Sequence, residues 1–260
     1  MKLPNIRRIF VPEKGYLLLD CDLSGADAQV VAWEAEDKDL KSAFRSGLNI
    51  HLKNLRDAFG FKAPDEALRK LNEYPDGTRA GTGTIYDDIK RAVHGTNYGA
   101  MARTVAVTLG WTINRAEEFQ RLWFQLHPQI REWHKRVERD LHTSGTVRNA
   151  FGYRRIFFDR PMGLLPEALA WGPQSTVAIV CSKGAVQLNR IPWVDIFLQV
   201  HDSLVFQIPN HRIEPSSFRA IRDALSVSVP YSDPLVIPWE IKTSSKSWGE
   251  VQKVKWEELT

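Results

Sequence analysis

Two aspartates stand where apolar, β-branched-rich runs end. Asp22 closes the run YLLLDCD, residues 16–22, and Asp202 sits at the turn inside FLQVHDSLVF, residues 197–206. Carboxylates are hard oxygen ligands suited to Mg²⁺, which needs only one or two of them because water and substrate phosphates complete its octahedron. If the two strand ends converge, Asp22 and Asp202 suffice for a site holding two Mg²⁺ ions. One ion would activate an attacking oxygen and the other would steady a leaving pyrophosphate. Either aspartate alone is more often a turn residue or helix cap.

A third segment carries complementary chemistry. In TIYDDIKRAVHGTNYGA, residues 84–100, Lys90, His94 and Tyr98 recur every four positions, which stacks them on one face of a helix. An ammonium is a good partner for a triphosphate, and flat rings offer a surface for a base or sugar. Thr84 and Asp87 form a capping pair at the helix start, while Gly95 and Gly99 permit close approach from outside. Asp87 and Asp88 favour the macrodipole but would repel a triphosphate they faced. Helical geometry turns Asp88 away from Lys90 and leaves Asp87 placed to pair with it. The competing reading is an exposed amphipathic helix with an ordinary mixed face.

Taken in order, DCDLSGADAQVVA, NIH, KRAVHGTNYGA, GPQSTVA and QVHDSLVF resemble the polymerase domain of the DNA polymerase I family, also called family A, phage members included. The closing PLVIPWEIKTSSKSWGE resembles that family's last strand and tail, so the likeness spans nearly the whole chain. The resemblance implies that Asp22 and Asp202 are the two catalytic aspartates and ligate Mg²⁺, with the Leu23 carbonyl as a further ligand. It implies that Lys90 grips the incoming triphosphate and that Tyr98 stacks near the templating position. Gln174 would lie near the primer terminus and template minor groove, His51 near the triphosphate and His201 beside the second aspartate.

Several positions depart from the family pattern. Asp27 stands where a glutamate normally blocks a ribose 2′-hydroxyl, which puts sugar discrimination in question. His94 replaces a large aromatic ring and can titrate near neutral pH. Tyr86 replaces an arginine on the triphosphate, with only Arg91 nearby, about a hundred degrees off the face. Ser203 follows the second aspartate in place of a glutamate, and Leu23 and Gln29 replace a tyrosine and an arginine. Together these read as an altered nucleotide grip rather than as inactivity.

With 260 residues and 43% hydrophobic content the chain can bury a substantial core, and disorder is not expected. A net charge of +4 and a pI near 9.0 allow an acidic polymer as partner without demanding one. Arg7 and Arg8 in IRRIF, and Arg154 and Arg155 in GYRRIFFDR, are candidates for phosphate contacts; a solvated surface is the alternative. Cys21 and Cys181 lie in apolar surroundings without metal-ligand spacing and read as buried thiols in a reducing compartment. No signal peptide and no membrane-spanning run is visible, so a cytoplasmic protein is expected, in the host cytoplasm if phage-encoded.

The elements that must position these residues follow from local pattern. A strand is expected over 16–22, helices over 26–46 and 49–59, and a mobile Gly- and Pro-rich loop over 73–83 before the Lys90 helix. NRAEEFQRLWFQLHP and QIREWHKRVERDLH are helical with core-facing Trp and Phe; TVRNAFGYRRIFF reads as a small hairpin and PEALAWGPQSTVAIVCSKGAVQLNR as a long buried helix. A hairpin centred on His201 and Asp202, an amphipathic helix near 213–227 and a strand near 235–243 complete the chain. The expected fold is α+β: an antiparallel palm sheet (residues 1–48 and 146–260) with packed helices and an inserted helical fingers subdomain (49–145).

The implied function is template-directed DNA polymerisation with primed DNA and deoxynucleoside triphosphates as partners. The resembling polymerases carry a thumb, and often an exonuclease, before the first motif, so the expectation is either one piece of a split enzyme, with another chain supplying thumb or exonuclease as a further partner, or a minimal polymerase of low processivity. A non-catalytic polymerase-like subunit that binds primed DNA or a partner chain is the alternative. A phosphohydrolase built on Asp22, Asp202, His201 and His51 is remote, because it leaves the Lys90 face without purpose.

Overall fold

A computed structural model describes residues 5–159 and 163–260. In chain order the elements are β1 (Tyr16–Leu23), α1 (Ala26–Glu34), α2 (Lys38–Arg45), α3 (Ile50–Phe59), α4 (Asp65–Leu68), α5 (Ile85–Asn97), α6 (Ala102–Leu109), α7 (Ile113–Leu126) and α8 (Pro128–Ser144). There follow β2 (Thr146–Arg148), β3 (Arg154–Ile156), α9 (Leu165–Leu188), β4 (Asp195–Val200), β5 (Ser203–Pro209), α10 (Pro215–Leu225), β6 (Ser228–Val229), β7 (Leu235–Val236), β8 (Trp239–Ser244), β9 (Gln252–Val254) and α11 (Trp256–Leu259). The fold is α+β, and it divides into two compact units, residues 1–26 with 174–260 and residues 27–173.

The first unit is built on a five-stranded antiparallel sheet in the order β4-β5-β1-β8-β9. Alternation along β1 sends Leu19 and Cys21 to one face and Leu18, Asp20 and Asp22 to the other. Gly184 of α9 approaches Leu204, Leu225 and Trp239, so the helices cover one face. On the other face Leu18 and Val205 pack with Trp248 into a small cluster joined by Phe10, Phe197 and Val200. The expected strand near 235–243 is two: β7 pairs with β6 and β8 joins the sheet, separated by Ile237 and Pro238. Proline has no N–H for a ladder, and here its carbonyl accepts from the Ser24 N–H at 2.8 Å.

The second unit is mainly helical. The helix expected over 26–46 breaks into α1 and α2 because Glu36 turns left-handed (φ 56°) and Asp37 caps α2 by accepting from the Leu40 N–H at 2.9 Å. Trp123, Phe119 and Trp133 of α7 and α8 are core, as their spacing predicts. The expected small hairpin is β2 paired with β3. Helix α9 runs from the second unit into the first at Gln174; it is long but buries only one face, through Ala168, Leu169, Thr176, Val177, Val180, Cys181 and Leu188, while Gln174, Ala178 and Ser182 are exposed. Among the described residues no helix is long and apolar enough to cross a membrane.

Candidate functional site

In the first unit, strand register sets the carboxylates. Asp22 lies opposite Ser203 of β5 and Glu240 of β8, and the Leu23 N–H donates to the Asp202 carbonyl at 3.0 Å. Asp202 is held there by a two-residue turn, because Val200 and Ser203 already pair and only His201 and Asp202 remain between them. His201 takes φ 54°, the left-handed conformation that tight hairpins require at the first turn position, and it is exposed. The two aspartates, 180 positions apart in the chain, are thus brought to one sheet end.

Burial and then the neighbouring Asp202 charge push the Asp22 carboxyl above the usual carboxylate range, with Asp20 and Glu240 adding to the effect. Lys242 opposes it from 3.9 Å. The Cys181 thiol on α9 is pushed up to about 12, by burial first and then by Asp202 and Asp22, so both carboxylates act on one point. A pair of partly desolvated anions with one ammonium between Asp22 and Asp20 fits a divalent cation, whose charge would offset what Lys242 leaves uncompensated.

Asp20 is a different kind of carboxylate. It is buried and its oxygens are spoken for, by the Ser203 hydroxyl at 2.7 Å and the Trp248 indole N–H at 2.9 Å. Ser203 is therefore no mere gap where an acid is expected; its hydroxyl anchors the strand beneath Asp22. Sequence reading missed this trio, since Asp20 and Trp248 are joined only by the fold.

In the second unit α5 presents its expected stripe. Thr84 caps it, accepting from the Asp87 N–H at 3.1 Å while its hydroxyl donates to the Asp87 carboxylate at 2.8 Å. The expected Asp87–Lys90 pair does not form: Asp87 is occupied by the cap, and among the described residues no carboxylate lies within ion-pair reach of Lys90, Arg91 or Arg69. Lys90, Arg91 and His94 are exposed, and Tyr98 is buried. His94 stacks edge-on against Tyr98 at 4.6 Å and its Nδ1 lies 4.0 Å from an Asp27 oxygen. The buried Tyr98 phenol is raised by burial and then by Asp27, although its hydroxyl makes no hydrogen bond of good geometry.

One turn before Lys90, the Tyr86 hydroxyl accepts from the Asn49 amide at 3.0 Å and its ring meets His51 edge-on at 5.8 Å. Asn49 does double duty, because its carbonyl oxygen also caps α3. Among the described residues the Nδ1 of His51 is buried without a hydrogen-bond partner, and His51 is pushed down to about 4, by burial first and then by Lys90, His94 and Arg69. His51 is therefore a neutral imidazole at pH 7, able to exchange hydrogen bonds but not to pair as a cation.

The loop expected to be mobile is pinned. Asp88, fully buried, accepts from the Tyr74 hydroxyl (2.9 Å), the Gly81 N–H (3.1 Å), the Thr82 N–H (2.9 Å) and hydroxyl (2.6 Å), and the Trp111 indole (3.4 Å). Gly81 is required, since a Cβ there would lie 1.9 Å from the Leu109 carbonyl oxygen. Asp88 thus points into the core and away from any anion on the Lys90 face.

The remaining candidates lie elsewhere. Gln174 is exposed on α9. Arg154 is exposed; Arg155 forms an ion pair with Glu167 and covers Phe157 at 4.8 Å, so part of its capacity is spent. Arg7 lies over the Trp248 ring at 4.4 Å. Among the described residues Asp37, Asp39 and His127 bring ligand atoms within 4.8 Å of one another. Those atoms are engaged, Asp37 in capping α2 and bonding His127 Nδ1 at 3.0 Å, Asp39 in pairing with Lys53 at 2.9 Å.

One unit carries two acids at a sheet end, Asp22 on β1 and Asp202 in the β4–β5 turn, and the other carries Lys90, His94 and Tyr98 on one face of α5. The chain belongs to DNA polymerase family A, whose family model matches residues 2–250. It is similar to the thermostable DNA polymerase I of Thermus filiformis (31% identity over 243 residues, 90% of this chain and 27% of that protein). It is also similar to DNA polymerase I of Chloroflexus aurantiacus (29% over 261 residues, 95% and 26%) and to the DNA polymerase of Mycobacterium phage D29 (24% over 249 residues, 95% and 37%). The chain spans about a quarter to a third of the length of these relatives. In fold it resembles the POL domain of Pol1 from M. smegmatis, solved with DNA primer-template and dNTP, at TM-score 0.75 and 21% identity over 95% of this chain and 42% of that one.

Proposed function

We propose that the chain carries the nucleotidyl-transfer centre of a template-directed DNA polymerase, joining a deoxynucleoside triphosphate to a primer 3′-hydroxyl. The observation that carries this reading is the meeting of Asp22 and Asp202 at one sheet end, with Asp22 raised by burial and then by its neighbour's charge. Asp22 and Asp202 would hold Mg²⁺, with the Leu23 carbonyl as a further ligand at the same strand end. Two bound Mg²⁺ ions would lower the barrier by stabilising charge on the attacking and leaving oxygens.

The chain's own residues bind and orient. Lys90, exposed and unpaired among the described residues, attracts the β- and γ-phosphates. Neutral His51 offers a hydrogen bond beside them without adding charge. His94 and Tyr98 form a ring surface for the nucleotide, and Asp27 beside them sets how much room a 2′-hydroxyl would find. Residues 1–48 and 146–260 act as palm and 49–145 as fingers; Gln174, His201, Arg154 and Arg91 have the exposure needed to meet primed DNA or phosphate. Cytoplasmic placement belongs to the same reading.

Primer extension with Mg²⁺ on primed DNA tests it. Templated incorporation that disappears in Asp22→Ala and in Asp202→Ala is the expected result. Tight binding of primed DNA with no extension would support a non-catalytic, polymerase-like subunit instead.

A further inference from the structure

We propose that Arg69, at the end of α4, is a phosphate-binding residue that completes with Lys90 a two-cation clamp for the terminal phosphates of the incoming nucleotide. The inference rests on the triphosphate reading of the α5 face. Tyr86 continues the stripe of Lys90, His94 and Tyr98 by one helical turn but carries no charge. Arg69 supplies one there: its guanidinium carbon lies 4.9 Å from the centre of the Tyr86 ring.

The platform under it is fixed at three points. Asn49 donates to the Tyr86 hydroxyl at 3.0 Å, His51 meets the ring edge-on at 5.8 Å, and Asn49 is itself locked as the cap of α3. Stacking on an aromatic face occupies the plane of a guanidinium and leaves its N–H edge free, which is the edge that binds phosphate in bidentate fashion. Among the described residues no carboxylate competes for Arg69, Lys90 or Arg91. Uncompensated cations repel one another, and such a cluster is held at a cost that an anion repays.

His51 reports that these charges share one locality. Its imidazole, 18 positions before Arg69 and 39 before Lys90, is depressed by Lys90, His94 and Arg69 together, after burial. The Lys90 ammonium and the Arg69 guanidinium, reached from α5 and the end of α4 beside an imidazole nitrogen without a partner among the described residues, suit a polyphosphate better than a single phosphate or a carboxylate.

Binding of inorganic triphosphate to the whole chain, followed calorimetrically at low salt, tests the clamp. Lys90→Ala and Arg69→Gln are each expected to weaken it by roughly tenfold or more, and Arg69→Lys by less, since charge returns without the planar fork. Tyr86→Leu, which removes the platform and no charge, should weaken it by a smaller factor than Arg69→Gln. In primer extension Arg69→Gln should raise KM for the nucleotide far more than it lowers kcat, which a merely structural role would not do. Affinity lost in Lys90→Ala but retained in both Arg69 variants would overturn the role of Arg69 and leave the triphosphate reading standing. Unchanged affinity in all the variants would remove that reading itself.

Discussion

The carboxylate end of the sheet and the cationic face of α5 are assembled by opposite means. At the sheet end like charges are forced together by backbone pairing: Asp22 and Asp202 have no choice of partner once β1, β5 and the two-residue turn are in register. On α5 the charges come from side chains that reach in from separate segments, with Arg69 settling on Tyr86 and His51 packing beside it. The first arrangement is stiff and repulsive, the second adjustable and built on aromatic contacts. A rigid anionic pair suits cations that need fixed geometry, whereas a cluster of long cationic side chains can adjust to the position of an anion.

The sharpest way to break this contrast is to remove one charge from each side. Asp202→Ala should cut incorporation on the order of 10³-fold, because metal-borne charge stabilisation is worth several kcal/mol. Lys90→Ala should raise KM for the nucleotide about tenfold, the scale of one charge-assisted hydrogen bond. Single-nucleotide kinetics on primed DNA would read both, and equal losses would mean that the two regions do not divide the work as their construction suggests.

How much of this was legible beforehand follows the same division. Asp22 and Asp202 could each be placed at the end of an apolar run because strand alternation and a hairpin turn are local, but the pairing of β1 with β5 that brings them together is long-range and no local pattern encodes it. Lys90, His94 and Tyr98 could be read because a helix repeats at four. Arg69 and Asn49 could not, since their meeting with Tyr86 depends on loop lengths between α3, α4 and α5 that no period encodes. Asp88 was rightly turned away from Lys90, but its burial could not be read, for a related reason. A carboxylate in the first turn of a helix ordinarily faces solvent, and only the returning loop with Tyr74 and Thr82 gives it donors enough to be buried.

Asp88 therefore marks where the adjustable side is anchored. Asp88→Ala strands the Tyr74 hydroxyl, the Trp111 indole and two backbone N–H groups, and should cost about 3 kcal/mol, read as a shift in denaturant midpoint. Asp88→Asn should cost less, since one carboxamide oxygen still accepts while its amino group faces donors. An Asp88→Ala chain as stable as the parent would show that the loop is held by its ring contacts alone, such as Arg115 over Tyr74 at 3.6 Å.

Acid should separate the regions further. His51 is pushed from an ordinary value of 6.5 down to about 4, so the folded state holds its proton less tightly than the unfolded chain. Its contribution is fully present above pH 6.5 and is lost as pH falls towards 4. His51→Gln should flatten that part of the stability profile, by about 3 kcal/mol at pH 4. An acid limb unchanged in the variant would mean that His51 stays solvated enough to protonate at little cost.

Asp22 runs the other way and gives the smallest effect. Its folded-state value is raised, so the stability it contributes is present below the ordinary aspartate range and is lost as pH rises through the folded value. At pH 7 without metal the ionised group is a liability, and Asp22→Asn should make the chain slightly more stable. The gain should be under about 1 kcal/mol, because the side chain is 37% exposed and solvent screens much of the repulsion. Thermal midpoints taken from pH 4 to pH 8 should show the difference growing and then levelling, and added Mg²⁺ should reverse it by stabilising the parent alone. If Asp22→Asn gains nothing, Lys242 at 3.9 Å already neutralises the pair, and the sheet end would be as self-compensated as the α5 face is not.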